Sequence, residues 1–234
     1  MKRAMYYILF LVPMSLLSVL TAMYLFSRTE PVFLLKNVRI TGADQLPESE
    51  ILSRVYPFLK DSIFGTDMGK VKESITSHPF VKDVRVKRVF PFSILIEVKE
   101  RVPSALWVGP GGDIQILDED GAPYRGLGKG KTRDLFVVSA MDKAGAKSVF
   151  REVADWDRQG IVRKDDLSEV VYNDGDVTLF SLSDGVEIIL GKEERAGRLK
   201  RAMAVLQDAK KRGLLIKCID ARFDNGAIVK ERKG

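Results

Sequence analysis

The chain is poor in the residues that most often carry chemistry. Its 234 residues include one cysteine, Cys218, and one histidine, His78. A lone cysteine excludes an intrachain disulfide framework and a cysteine-based zinc cluster, so the fold must rest on ordinary burial. The lone histidine precedes Pro79 at a predicted helix end, and with no G-x-S-x-G nucleophile turn to serve it is expected to be structural. A large excess of charge of one sign is also lacking. The formal net charge is +6, and Lys2, Arg3 and Arg28 less Glu30 account for +2 of it, which leaves +4, too mild an excess to point to nucleic acid. With 45% hydrophobic and 30% charged residues, the composition is that of a folding chain and not of a disordered one.

What the chain does have is one long hydrophobic run. Ala4 to Phe26, "AMYYILFLVPMSLLSVLTAMYLF", carries no charge, and a bilayer core requires roughly 20 apolar residues. The run is longer than a signal-peptide core, and Thr21-Ala22-Met23 offers no A-x-A-like cleavage site. The expectation is a short cytoplasmic tail over 1–3 and an uncleaved transmembrane helix over 4–26, kinked at Pro13. Lys2 and Arg3 hold the N-terminus in the cytoplasm and send the rest of the chain across the membrane, away from cytoplasmic ATP and nucleic acid.

The next segment reads as strand, helix, helix, strand, strand. Val38 and Ile40 alternate with Lys36, Arg39 and Thr41 up to Gly42. Pro47, Glu48 and Glu50 open a helix whose apolar face is Ile51, Leu52 and Val55, with Pro57 closing it. Asp67 caps a second helix carrying Met68, Val71 and Ile75, stopped before Pro79. Two alternating strands follow, one through Val84 and Val86 and one through Ile94, Ile96 and Val98, around Phe90-Pro91-Phe92.

That order, with the wording "FLLKNVRITGADQLPESEI" and "HPFVKDVRVKRVFPFSILIEVKERVPSALW", resembles the POTRA domain of the FtsQ/DivIB family of bacterial division proteins. The resemblance implies an α+β protein with a POTRA domain over 33–103 and a second, mostly antiparallel β domain with helices over 104–231. It implies protein docking in place of catalysis. On the solvated sheet face, Lys87 or Arg88 is expected to pair with Glu97 or Glu100. A recruitment face for FtsK-type and other septal proteins is expected around Ser74, Val81 and Val84.

In the second domain, Ile114 and Ile116 alternate before Asp118-Glu119-Asp120-Gly121, which reads as a hairpin turn, because the ligand spacing and later glutamate of a calcium loop are missing. The same position makes acid/base work by Asp118 and Asp120 a poor rival reading. "RGLGKGKT" ends like a phosphate-binding loop, but counting back from Gly130 puts Arg125 where the pattern needs glycine, and a strand follows where it needs a helix. It reads as a basic loop. A helix is expected from Lys143 to Gln159 on Val149, Val153 and Trp156, then a meander broken at Asn173-Asp174-Gly175 and Ser183-Asp184-Gly185. A basic helix then sets Ala196, Leu199, Met203 and Leu206 on one face.

The chain closes on a predicted hairpin, with Ile219, Ala221 and Phe223 alternating, a turn at Asn225-Gly226, and a last strand from Ala227 to Glu231. Ile219 to Val229 is similar to the family's closing "IDLRY-x-x-G-x-x-V". The resemblance implies binding of FtsB, in a subcomplex with FtsL, by strand addition, with Phe223, Asn225, Gly226, Ile228 and Glu231 at the contacts. The sequence departs from the family at Ala221, Glu231, Asp174 and Asp176. The implied whole is a non-enzymatic division scaffold at the septum of the bacterial inner membrane, single-pass, with no cofactor, metal, nucleic acid or small-molecule substrate. The alternative is a POTRA-containing chaperone or assembly factor for outer-membrane or secreted proteins.

Overall fold

A computed structural model describes residues 2–29, 33–126, 135–181, 183–224 and 226–232, with side chains described from 12 to 25 within the first helix. The chain divides into two compact units, Met1–Arg101 and Val102–Gly234.

The first unit opens with α1 (Lys2–Thr29), a continuous helix with Pro13 inside it. Its side chains from Val12 to Leu25 are solvent-facing, among them Leu16, Leu17, Leu20 and Met23. Among the described residues no helix is long and apolar enough to cross a membrane. The described side chains of α1 cover a shorter stretch than the roughly 20 residues a bilayer core requires.

Beyond α1 come β1 (Asn37–Thr41), α2 (Glu48–Val55), α3 (Met68–Thr76), β2 (Val81–Val89) and β3 (Ser93–Glu100), the expected order. The sheet runs β1-β3-β2, with β1 parallel and β2 antiparallel to β3. Alternation in the strands turns Val84, Ile94, Ile96 and Val98 onto Ile51, Val55, Val71 and Ile75 of the helices to form one core. The Asp67 carboxylate caps α3 by accepting from the Gly69 and Lys70 amides at 3.1 Å. At the end of β1, Gly42 has φ +77°, and a Cβ there would lie 2.2 Å from the Val98 carbonyl oxygen, so the chain can leave the sheet only through glycine.

Three details depart from the sequence reading. Leu52 is exposed, because a helix this short turns only Ile51 and Val55 inward. Of the predicted cross-strand charges only Lys87–Glu97 pairs, at 2.9 Å. Arg88 instead donates to the Ile63 and Thr66 carbonyls, while the Glu100 carboxylate accepts from the Gln45 and Leu46 amides. Both charges stitch loops to the sheet edge.

The second unit is a nine-stranded sheet under two helices: β4 (Ala105–Val108), β5 (Ile114–Leu117), β6 (Pro123–Gly126), β7 (Val137–Ala140), α4 (Lys143–Arg158), β8 (Leu167–Asn173), β9 (Asp176–Ser181), β10 (Glu187–Gly191), α5 (Arg195–Lys211), β11 (Ile216–Asp220) and β12 (Ile228–Glu231). The strand order is β12-β11-β10-β9-β8-β7-β4-β5-β6. Hairpins and the β8-β9-β10 meander supply the antiparallel pairs, as expected. The pairs β7–β8 and β10–β11 are parallel, because α4 and α5 each carry the chain back over the sheet before the next strand, and β4 also pairs parallel with β7, with the β5–β6 hairpin between them in the chain. Val149, Val153 and Trp156 of α4 and Leu199, Ala202 and Leu206 of α5 pack on Val138, Val170, Leu179, Ile188 and Ile219. The Asp118 carboxylate accepts from the Asp120 and Ala122 amides, which builds the β5–β6 turn. The Gly-Lys-Thr loop, 127–134, lies outside the described residues.

Candidate docking edge

The sheet of the second unit ends at β12, whose outer edge meets no further strand among the described residues. On its inner side β12 pairs antiparallel with β11, Asp220 opposite Ile228 and Ile219 opposite Val229. All four of its side chains are exposed, Ile228 at 51%. An edge of this kind presents a row of free amides and carbonyls that accepts another strand unless something protects it.

The link from β11 to β12 is longer than the sequence suggested. The first strand ends at Asp220 and the second begins at Ile228, so the predicted two-residue turn is a seven-residue connection, 221–227. Ala221 still follows β10: its amide donates to the Ile189 carbonyl at 2.9 Å, one rung beyond the Ile189–Asp220 pair, and its methyl is buried, so the chain turns toward β12 only after it. The loop is then anchored on α5. The guanidinium of Arg201 donates to the Phe223 carbonyl at 3.2 Å, and that of Arg198 donates to the Leu190 carbonyl at 2.9 Å and stands 3.9 Å from Asp224. Arg222 donates through Nε and Nη2 to Asp220 at 2.9 and 2.7 Å, and this holds the Asp220 carboxyl below its ordinary value.

The far end of β12 is fastened separately. The Arg232 amide donates to the Leu215 carbonyl at 2.7 Å, and its guanidinium to the Asp184 carbonyl at 3.2 Å. The Asp184 carboxylate accepts from Ser181 and Ser183 and pairs with Lys210 at 2.6 Å. Partial burial alone would raise this carboxyl, but the bonds from Lys210 and the two serines outweigh it and hold it well below the usual carboxylate range. Beside the strand lies a groove of about 730 Å³ bordered by Phe180, Glu187, Lys217, Lys230 and Glu231. Cys218, opposite Lys230, is buried, and burial with the neighbouring Glu187 raises its thiol, so it remains protonated at neutral pH.

Of the sequence-predicted contact residues, Phe223 is 47% exposed, which removes it from the core. Ile228 and Glu231 stand at the two ends of β12, Gly226 lies in the connection, and Asn225 lies outside the described residues. In the acidic turn that departs from the family, Asp174 accepts from Lys192 at 2.9 Å. The recruitment face of the first unit needs correcting. Val81 and Val84 are both buried in its core, and Ser74 donates its hydroxyl to the Val71 carbonyl within its own helix. Strand alternation turns Asp83, Arg85 and Lys87 outward instead. Missed by sequence reasoning were Arg198, Arg201 and Arg232, whose spacing shows only a basic helix and tail.

His78 is satisfied within the first unit: its Nδ1 accepts from the Phe80 amide at 3.2 Å, and its Nε2 lies 3.1 Å from Glu50. Among the described residues no group of three or more His, Cys, Asp or Glu side chains is placed to hold a metal.

A three-stranded, two-helix unit followed by a mixed sheet with an open terminal edge defines a POTRA-headed α+β protein. Residues 33–101 match the POTRA domain, FtsQ-type, and residues 105–222 match the C-terminal domain of cell division protein FtsQ/DivIB. The chain belongs to the FtsQ/DivIB family, and its role lies in cell division. It is 27% identical over 211 residues to the cell division protein FtsQ of Geotalea daltonii, covering 85% of this chain and 76% of that relative. It is likewise 27% identical over 210 residues to FtsQ of Myxococcus fulvus, covering 85% and 72%, and 26% identical over 210 residues to FtsQ of Syntrophotalea carbinolica, covering 85% and 74%. The match extends beyond the POTRA domain into the second unit, as far as residue 222, which favours a division protein over a POTRA assembly factor.

Proposed function

We propose that the protein is a non-enzymatic scaffold of the division machinery that takes up FtsB/FtsL-like single-pass partners by strand addition along β12. The observation that carries this reading is the position of β12: it is the last strand of the sheet, its outer edge is open, and every side chain on it is exposed. A partner strand gains affinity from main-chain hydrogen bonds along that edge and specificity from alternate side chains. Phe223, exposed in the connection whose backbone Arg201 fastens, would serve as the aromatic anchor. Other septal proteins, FtsK-type proteins among them, would dock on the outward residues of the POTRA sheet, Asp83, Arg85 and Lys87.

The apolar run of α1 supports a localisation at the membrane. Leu16, Leu17, Leu20, Met23 and Leu25 would all face water if the helix lay in solution, whereas the charge-free run Ala4–Phe26 matches a bilayer core. The protein is then a single-pass inner-membrane anchor with its N-terminus in the cytoplasm and both folded units in the periplasm, at the septum.

The test is a binding measurement with the full chain in detergent and purified FtsB/FtsL-like proteins of the same cell. The double substitution Phe223→Ala, Ile228→Asp should abolish the complex while circular dichroism stays unchanged. Undiminished binding by the folded double variant would place the docking site elsewhere.

A further inference from the structure

The hairpin tip of the POTRA unit carries apolar surface that its fold does not use. Phe90, between β2 and β3, is 62% exposed, and Val89 beside it is 40% exposed. Phe90 is not a stray residue, since an aromatic chain backs it: the Phe90 ring lies 5.7 Å from Phe64, and Phe64 stands edge-on to Phe33 at 5.2 Å. The Phe33 carbonyl accepts from the Ile63 amide at 3.0 Å, and Arg88 donates to the Ile63 carbonyl at 2.7 Å. Phe90 is thus held out by packing from beneath.

The chain enters the unit at this same end. The Lys36 amide donates to the Phe92 carbonyl at 2.9 Å, and its ammonium sits 5.3 Å from the Phe92 ring. Thr29, the last residue of α1, precedes Phe33 by four residues, a reach of at most about 14 Å. An outward aromatic and a valine flanked by Lys36 and Arg88 therefore cannot leave the neighbourhood of the residue where α1 ends. Aromatic rings seated at headgroup depth with cations beside them make the composition of a membrane-interface contact.

We propose that the β2–β3 hairpin tip seats on the bilayer, with Phe90 and Val89 in the interface and Lys36 and Arg88 facing anionic headgroups. This rests on the reading of α1 as an anchor. It makes the POTRA unit a plate standing on the membrane by one end, with the opposite end, at Gly42 and Glu100, directed away.

The test uses the full chain reconstituted in vesicles of phosphatidylethanolamine and phosphatidylglycerol whose acyl chains carry bromine, a short-range quencher of tryptophan. Phe90→Trp, or Val89→Trp should the first fail to fold, reports the tip. Lys99→Trp, exposed and about 20 Å along β3 from Ser93, reports the opposite end. Trp107 and Trp156 are buried in the second unit, and the parent chain supplies their background. The expected result is a blue-shifted tip tryptophan that loses about half of its emission, as a ring 5–10 Å into the headgroup boundary would, with position 99 unaffected. Tip emission unquenched in a chain that resists carbonate extraction overturns the docking and leaves the anchor standing. Equal quenching at both positions also overturns it, because the contact would not belong to the tip. Release of the chain by carbonate removes the anchor, and the docking falls with it.

Discussion

Lys210 Nζ lies 2.6 Å from the Asp184 carboxylate, and through this contact the last turns of α5 hold the β9–β10 turn. The same turn offers its Asp184 carbonyl to Arg232 just past β12, so the far end of the candidate docking strand is secured by an ion pair two elements away. An edge strand with four exposed side chains gains little from burial, and such polar fastenings supply what burial does not.

Asp184→Asn should therefore weaken the second unit at neutral pH. The carboxylate is partly exposed, so the expected loss is ~1 kcal/mol and not the larger figure of a buried pair. A fall in melting temperature of about 3 °C corresponds to it. The sign with pH is fixed: the folded carboxyl titrates below its ordinary value of 3.8, so its contribution is complete above that value and is lost as pH falls through the folded one. Calorimetry between pH 7 and pH 3 should show the parent and the Asn variant converging toward acid. Parallel curves would mean that the pair does not stabilise the fold.

Gly42→Ala should be among the most damaging single-methyl additions to the POTRA unit. The new Cβ would combine a left-handed backbone with a contact to the Val98 carbonyl, and a loss of about 2–4 kcal/mol is expected. Urea unfolding of the full chain should show an earlier transition for this unit, with the second unit unmoved.

Phe223→Ala alone should separate folding from binding. At 47% exposure its removal changes stability by less than about 0.5 kcal/mol. If the side chain anchors a partner strand, affinity falls by roughly 30-fold or more, the scale of an aromatic hot spot. Titration calorimetry against purified FtsB/FtsL-like protein reads the affinity, and thermal unfolding of the free chain reads the stability.

Arg195 and Glu152 pair at 2.7 Å with about three quarters of each side chain buried, and Arg195 also donates to the Gly175 carbonyl at 2.8 Å. Burial outweighs the arginine and raises the Glu152 carboxyl above its ordinary value. Removing the cation leaves the acid stranded, so Arg195→Ala should cost about 2 kcal/mol, and Arg195→Met with Glu152→Leu should restore most of it. Denaturant midpoints of the two variants decide between a structural pair and a mere surface contact.

The sequence made the local structure legible wherever a short-range pattern decides it. Alternating valines and isoleucines mark the strands, Asp67 marks the cap, and Asp118 to Gly121 marks a turn whose amides close on one carboxylate. Non-local choices were not legible. Nothing within Arg88 or Glu100 shows that each bonds the backbone of a distant loop, and only the assembled sheet reveals that Val81 and Val84 are spent on the core. At the candidate site, the last strand was readable from the closing motif, whereas alternation set Phe223 in register with the buried Ile219 and Ala221 and missed its exposure, because β11 ends at Asp220. The loop was not readable, since the chain turns toward β12 only after Ala221 has bonded the Ile189 carbonyl of β10.

In the nine-stranded sheet, β11 joins β10 only after the chain has crossed over α5, and β12 follows every other strand in chain order. The open edge is therefore absent from any chain whose synthesis has not yet passed β11. A partner docking there, as proposed, would meet the edge only on molecules whose synthesis has run past every earlier strand of the sheet, so that a nascent copy would be left out of the assembly.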